Sequence, residues 1–246
     1  NEETTMSQHI LLNRSEDEVL WFRRRGFLQA AAAWTALGGY GAALAQGSTN
    51  VVDYVGDATV NGSRLERGQS IQTGDTVQTG PGSQLIFVVG NSSFHLRQNT
   101  RVTVERGASL FAVNLLRLIT GGVASVWGKG TSRQIVTPTL TAGIRGTGVY
   151  AEYFEPRNRS YFCNCYGTVD LSTATESRTS VSSYHEAIWA DPVDGGDRAR
   201  MAGAPAINHT DEELEFLARL IGERTAWQIS GVKGTKSGYG GAYGTN

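Results

Sequence analysis

Short β-type segments alternate with glycine-containing turns over most of this chain, and this alternation limits what it can fold into. Between Val51 and Val104, apolar and polar residues alternate in short runs, and pairs such as Asn61-Gly62 and Gly90-Asn91 separate the runs. Asn-Gly pairs between alternating segments are strong signals for tight hairpin turns. The chain has 31 glycines and only five prolines, which suits many short strands joined by tight turns. The sequence therefore predicts a mainly β fold.

The same alternation continues towards residue 190. Residues 115–127 contain Gly121-Gly122 at their centre and are predicted to form two strands joined by a turn at that pair. The other predicted strands lie at 51–55, 58–60, 70–72, 76–79, 84–89, 94–97, 100–104, 149–154, 159–171, 179–183 and 185–190.

The stretch 136–150 combines a proline with closely spaced glycines. Pro138 cannot donate a ladder hydrogen bond, so it indicates an edge or a bend in the strand. The glycines at 143, 146 and 148 predict bulges or corners with positive φ, which glycine adopts at low cost.

Within that stretch, Thr137-Pro138 and Arg145-Gly146-Thr147 resemble the TP…RGT signature of the FecR-like domain, known from periplasmic regulators of ferric-citrate-type uptake. Residues 68–80, which read GQSIQTGDTVQTG, are similar to the start of such a domain, and 96–100 fit its L-x-x-x-T element. The resemblance covers roughly residues 51–190. It implies a glycine-rich hairpin stack of the β-solenoid or sandwich-like type, and a module that binds or regulates through contacts.

The same resemblance implies a role in signalling, such as the regulation of iron uptake, with an envelope protein or ligand as the partner. Regulators of that family carry several sigma-binding helices before a membrane span. Here about twenty polar residues precede Arg23-Arg24-Arg25. We therefore expect a stand-alone exported module rather than direct control of a sigma factor.

Residues 1–45 are typical of an export signal peptide. Arg23-Arg24-Arg25 precede a weakly apolar, alanine-rich stretch that ends in the small-x-small site Ala43-Leu44-Ala45. Consecutive arginines before Phe27-Leu28 indicate the twin-arginine type and predict a periplasmic protein. The alternative is an uncleaved anchor, in which case the membrane is contacted through this segment alone. Cleavage would leave 18 basic and 18 acidic residues, a neutral balance that disfavours nucleic acid as a partner.

The composition changes after the predicted β domain. Residues 191–230 are predicted to form a loop and one short amphipathic helix, with Thr210 as N-cap and Glu213 completing a capping box. Gly222 follows the last apolar position and is expected to end the helix. Residues 231–246 are rich in glycine and poor in aliphatic side chains, which predicts a disordered tail.

Cys163 and Cys165 are the only cysteines. Residues i and i+2 of a strand point to the same side with Cα atoms about 6.6–6.8 Å apart, the upper limit for a disulfide. Three interpretations stay open: a disulfide made possible by a bulge at Asn164, two buried thiols, or a thiolate metal or cofactor site. Because two thiolates do not fill a tetrahedral shell, a metal would need further ligands. His95, His185 and His209 are the candidates, and His185 and His209 are the two expected to approach the cysteines. A metal- or cofactor-binding exported protein is the alternative function.

Signals for an enzyme are poor. The sequence has no G-x-S-x-G elbow, no H-E-x-x-H zinc motif and no P-loop, so we expect no catalytic residues and no cofactor beyond the metal considered above. Arg145 is open to two interpretations, as a recognition residue or as a structural residue bonded to carbonyls or to an acid such as Glu152.

Overall fold

The computed structural model describes residues 10–21, 49–109, 112–130, 132–193 and 199–235. Fifteen strands dominate these residues. In chain order the strands are β1 (Val51–Val55), β2 (Ala58–Val60), β3 (Ser63–Arg64), β4 (Thr76–Thr79), β5 (Gln84–Val89), β6 (Ser92–Leu96), β7 (Arg101–Arg106), β8 (Val113–Trp127), β9 (Arg133–Val136), β10 (Thr141–Ile144), β11 (Gly148–Phe154), β12 (Arg159–Ser172), β13 (Ser177–Ser182), β14 (Glu186–Pro192) and β15 (Ala199–Ala204).

Helices are few and short in the part of the chain that the structure describes. They are α1 (Glu16–Val19), α2 (Asp211–Leu220), α3 (Ala226–Ser230) and one 3-10 turn at Glu155–Arg157. The predicted mainly β fold class is therefore confirmed, with α2 as the predicted C-terminal helix. The five residues of α3 were not predicted as a helix. No helix among the described residues combines the length and the apolar character needed to cross a bilayer.

The strands form two layers that share two long strands. The central sheet has the order β1-β5-β6-β8-β11-β12-β14-β15, and all its pairs are antiparallel. The outer sheet has the order β3-β2-β4-β7-β8-β9-β10-β12-β13, in which only the β8–β9 pair is parallel.

Strands β8 and β12 pass from one sheet to the other at a glycine. Gly121 has φ +78° and Gly167 has φ +103°, conformations that other residues adopt only with strain. The predicted turn at Gly121-Gly122 is therefore wrong: the chain bends there and continues as a single strand. The bend allows one strand to pair with β7 in the outer sheet and with β6 in the central sheet.

Each face of the central sheet covers a separate core. In β5, Leu85 and Phe87 face the outer sheet, whereas Ile86 and Val88 face the layer that contains α2. The period-2 alternation predicted from the sequence is present, but both faces are buried. The second core, under α2, contains both cysteines.

Three predicted features differ in the structure: one strand, the end of the β domain and the capping box. Residues 70–72 do not form a strand, because the N–H and C=O of Ile71 bond to the Asn50 side chain at 2.8 and 2.7 Å instead of to a ladder. The sheet extends past residue 190, since β15 pairs with β14. In the predicted capping box, Thr210 accepts from the Glu213 N–H at 3.1 Å, but the Glu213 carboxylate binds Arg97 and His95.

The predicted leader and tail are described only in part. Residues 10–21 lie against the domain, where Ile10 bridges Ile207. Arg23-Arg24-Arg25 and Ala43-Leu44-Ala45 lie outside the described residues. Of the tail predicted to be disordered, 231–235 are described and 236–246 are not. Lys233, in the described part, pairs with Asp211 at 2.7 Å.

Candidate metal centre

The two cysteines lie side by side on the helix-facing surface of β12. Both are fully buried, and their Sγ atoms are 3.8 Å apart. A disulfide would place the sulfurs about 2.05 Å apart, so the disulfide interpretation does not describe this structure. In the ladder between β11 and β12, Val149 pairs with Asn164 and Gly148 pairs with Tyr166. Cys165 has no partner residue in β11 and is therefore the extra residue of a β-bulge. The disulfide interpretation had required a bulge at the neighbouring Asn164.

His185 reaches the cysteines from the segment between β13 and β14. Its backbone has φ +43°, which is uncommon for a residue with a side chain, and its N–H donates to the Cys165 carbonyl at 2.9 Å. This conformation places Nδ1 3.7 Å from the Cys163 Sγ. The other ring nitrogen, Nε2, lies 3.0 Å from an oxygen of Asp211.

His209 approaches from the segment between β15 and α2. Its Nε2 is 3.0 Å from the His185 Nδ1, and its Nδ1 is 2.6 Å from the Ile207 carbonyl oxygen. The ring stacks on Tyr150, with centroids 5.0 Å apart and an interplanar angle of 14°. His209 is therefore held on two sides, by a carbonyl and by an aromatic ring.

These four side chains bring together the metal ligands suggested by the sequence. One ligand atom from each of Cys163, Cys165, His185 and His209 lies within 4.8 Å of the other three. With metal bonds of about 2.3 Å to sulfur and 2.05 Å to nitrogen, a tetrahedral site has edges of about 3.8 Å (S–S), 3.6 Å (S–N) and 3.3 Å (N–N). The measured S–S, S–N and N–N distances are 3.8, 3.7 and 3.0 Å. The donor set thus fits a tetrahedral metal ion after a small separation of the two rings.

The proton positions of the two imidazoles also favour a cation. The outer nitrogens face a carboxylate and a carbonyl, which only accept hydrogen bonds, so each neutral ring carries its N–H on the outside. The inner nitrogens, 3.0 Å apart, then present lone pairs to each other. Such a contact is repulsive unless a proton or a metal ion lies between the rings. The outer contacts are those that orient histidine ligands in metal sites.

The protonation of Cys163 points the same way. Burial on its own raises the pKa of this thiol, but the hydrogen bond with the Cys165 thiol and the contacts with the His209 and His185 imidazoles hold the pKa well below its usual range. The thiolate is the form of cysteine that binds metals. Two thiolates and a divalent cation together carry no net charge, so a metal would remove the cost of burying them.

The centre is closed to solvent. The ligand residues are exposed by 3 % or less. Trp227 of α3 stacks on His185, with centroids 5.3 Å apart, and Asp211 receives the Tyr184 hydroxyl at 2.9 Å and the Lys233 ammonium at 2.7 Å. Four buried candidate ligands, two cysteines and two histidines, have the composition of a structural zinc site.

The signature residues lie elsewhere. Arg145 pairs with Asp170 on the exposed outer sheet at 2.5 Å, so the acid suggested by the sequence, Glu152, is not its partner. Thr137 and Pro138 are in the β9–β10 connection, where the Thr137 hydroxyl contacts the Ser160 hydroxyl at 2.7 Å. Gly146 and Thr147 connect β10 to β11. The signature therefore organises strand connections and contributes no ligand to the centre.

Asp211 directly follows the predicted N-cap Thr210, and its contact with His185 was not predicted from the sequence. His95, the third histidine candidate, is not part of the centre but lies in a second buried group with Arg97 and Glu213, which was not predicted. The sequence signal for Asp211 is its position two residues after His209 at a helix start, which places an acid beside a candidate ligand.

Comparisons with known proteins give little further information. No family model matches the chain, and no curated protein matches it. Two crystal structures of a "putative anti-sigma factor" from Parabacteroides distasonis overlap with 52 % of this chain, at TM-scores of 0.43 and 0.42 and 10 and 11 % identity. The overlap spans 58 % of the length of those chains.

Proposed function

We propose that this chain is a non-enzymatic zinc-binding β protein, in which Cys163, Cys165, His185 and His209 hold one Zn²⁺. The observation that carries the proposal is the convergence of four buried donor atoms within 4.8 Å from three separate parts of the chain. A closed tetrahedral set of two cysteines and two histidines is a preferred zinc environment.

In this proposal the metal fixes the structure. It ties β12 to the segment before β14 and to the segment before α2. All three meet in the core that contains the two cysteines. Because the ion is enclosed, the protein acts through its surface. This agrees with the contact role that the FecR-like motifs imply. Export to the periplasm and an envelope partner are part of the proposal and rest on the sequence motifs alone.

Metal analysis of the purified full chain tests the zinc site. We expect one zinc per chain, and loss of most of it in Cys165→Ser. His185→Asn is the sharpest ligand variant, because asparagine tolerates the left-handed backbone at φ +43° and removes the imidazole without adding strain. Glu212→Gln is the matched control, since it changes an exposed acid next to Asp211 and should keep full zinc content.

Cobalt replacement tests the ligand set independently of how zinc was acquired. Tetrahedral Co²⁺ bound to thiolates gives intense visible and near-ultraviolet absorption, which we expect for the wild type and for Glu212→Gln. Cys163→Ser should weaken the thiolate band while the chain still folds, as judged by circular dichroism. A folded wild type that binds neither metal would contradict the proposal.

Fractionation tests the predicted location. We expect the protein in the periplasmic fraction with an N-terminus at Gln46, as a cleavage site at Ala43-Leu44-Ala45 requires. Replacing Arg24 and Arg25 by two lysines should retain it in the cytoplasm. A cytoplasmic protein with an intact leader would remove export from the proposal and leave the metal site unaffected.

A further inference from the structure

Residues 10–21 are held in a groove formed beside the metal centre. Ile10 makes a parallel bridge with Ile207, and its carbonyl accepts the Asn208 N–H at 3.0 Å. The Asn208 side chain accepts the Leu12 N–H at 2.7 Å and donates to the Leu12 carbonyl at 2.9 Å. The segment is therefore bound through its backbone, as a strand is bound by a neighbouring strand.

Arg14 and Trp21 are two of the buried side chains of the segment. Arg14 is 6 % exposed and pairs with Glu152 at 2.9 Å and with Glu18 at 2.5 Å. Trp21 is 3 % exposed and meets the ring of His95 edge-on, with centroids 4.5 Å apart. The groove thus holds an extended segment that begins with aliphatic residues and buries one arginine and one aromatic side chain.

The groove and the metal centre use the same short segment of chain. The Ile207 carbonyl that orients His209 belongs to the residue that bridges Ile10. Asn208, which binds Leu12, directly precedes His209 and has a left-handed backbone at φ +60°. A movement of His209 would displace the residues that hold Ile10 and Leu12.

A second connection runs through side chains. The ring of Tyr150 stacks on His209, and its hydroxyl donates to Glu152 at 2.7 Å. Glu152 accepts from Arg14 and from the Asn208 amide, both at 2.9 Å. The metal ligand and the buried arginine of the segment are therefore linked by both the backbone and a hydrogen-bonded path.

We propose that residues 10–21 occupy a peptide-binding groove whose affinity for this segment depends on the metal, so that the metal-loaded chain holds the segment and the metal-free chain releases it. This inference rests on the proposed zinc site. Thermodynamic reciprocity then requires the docked segment to tighten zinc binding by the same factor. Cleavage after Ala45 would detach the segment and open the groove to other peptides of the same chemistry.

Limited proteolysis of the full chain measures the release. Trypsin should cut after the buried Arg14 at least about five-fold faster once zinc is removed with a chelator, a factor at the low end of typical coupling. Cutting after Arg67, in the exposed turn between β3 and β4, should keep the same rate and serves as the internal control. Equal acceleration at both sites or at neither would count against local release.

Zinc affinity gives the reciprocal measurement and stays informative if the metal-free chain unfolds. Arg14→Gln should weaken zinc binding about five-fold or more. Val77→Ala, which creates a cavity in the outer sheet far from the groove, controls for general loss of stability and should leave the affinity unchanged. Unchanged affinity in Arg14→Gln overturns the coupling while the zinc site stands. If the folded wild-type chain binds no zinc, the proposed function itself is overturned.

Discussion

Arg97 and Glu213 form an ion pair from which water is excluded. The Arg97 Nη2 donates to the Glu213 Oε2 at 2.6 Å, and neither side chain is exposed. Arg97 follows β6, and Glu213 lies in the first turn of α2, so the pair joins the helix to the central sheet. His95 contacts the other carboxylate oxygen at 2.5 Å, and the Asn208 carbonyl accepts from Arg97 at 2.7 Å.

Removing the carboxylate should destabilise the fold strongly. In Glu213→Gln the Arg97 charge stays buried without its counter-ion, and breaking such a pair costs about 3–5 kcal/mol. Urea denaturation should show a decrease of this size in the free energy of unfolding. Glu212→Gln, one residue away and exposed, should change it by less than about 0.5 kcal/mol. Similar midpoints for the two variants would show that the pair does not anchor the helix.

Acid should weaken the fold from near-neutral pH downwards. Burial and the Arg97 charge lower the pKa of His95 from 6.5 to about 4. Burial raises the pKa of Glu213, but the charges and hydrogen bonds of Arg97 and His95 outweigh it and lower the pKa to about 2. Both depressed pKa values mean that the unfolded chain takes up protons first. The contribution of these two groups to the free energy of unfolding is complete above pH 6.5, and it is lost as the pH falls towards their folded-state pKa values.

Denaturation at a series of pH values checks this sign. Each proton taken up only by the unfolded chain adds a slope of about 1.4 kcal/mol per pH unit. His95→Gln removes one such proton, so the slope between pH 6.5 and 4.5 should be smaller by up to that amount. Zinc release adds to the slope in both proteins and cancels in the difference. An identical slope in the variant would mean that His95 is not held neutral.

The alternation of the sequence was enough to predict the β fold and the shared side of Cys163 and Cys165. Both follow from local geometry, because a strand repeats every two residues. The strand pairings could not be predicted in the same way. Gly121-Gly122 has the composition of a turn, and only the two-sheet arrangement explains why the chain bends there and continues as one strand.

The candidate site could be predicted only as a list of residues. Cys163 and His209 are 46 positions apart in the sequence, and no local signal places them within one coordination sphere. The same limit explains why the contacts of Glu213 were not predicted: its position in a capping box predicted a hydrogen bond from its side chain to the backbone of Thr210. In the fold, a buried arginine outcompetes the backbone N–H for its carboxylate, because an unpaired buried charge is costly.

The strand bends should tolerate no side chain. A Cβ added at Gly167 would lie 2.6 Å from the Thr147 Cβ, in addition to the strain of φ +103°. Gly167→Ala should therefore lower the free energy of unfolding by about 2–4 kcal/mol. Gly62→Ala is the matched control, since φ is +81° but open space surrounds the added methyl group. It should show the backbone strain alone, about 1–2 kcal/mol, and a loss as large as in Gly167→Ala would rule out the steric contribution.

Asp211 should tune the metal centre without binding the ion. Its carboxylate accepts from the outer nitrogen of His185 and is held by Tyr184 and Lys233. Asp211→Asn preserves the shape but removes the charge that supports the His185 tautomer, and such losses weaken metal binding about 10- to 100-fold. Competition with a chromophoric chelator measures the affinity, with Glu212→Gln as the control. Because Thr210 remains as the N-cap of α2, the variant should keep its circular dichroism spectrum. Wild-type affinity in folded Asp211→Asn would show that Asp211 serves the helix rather than the metal.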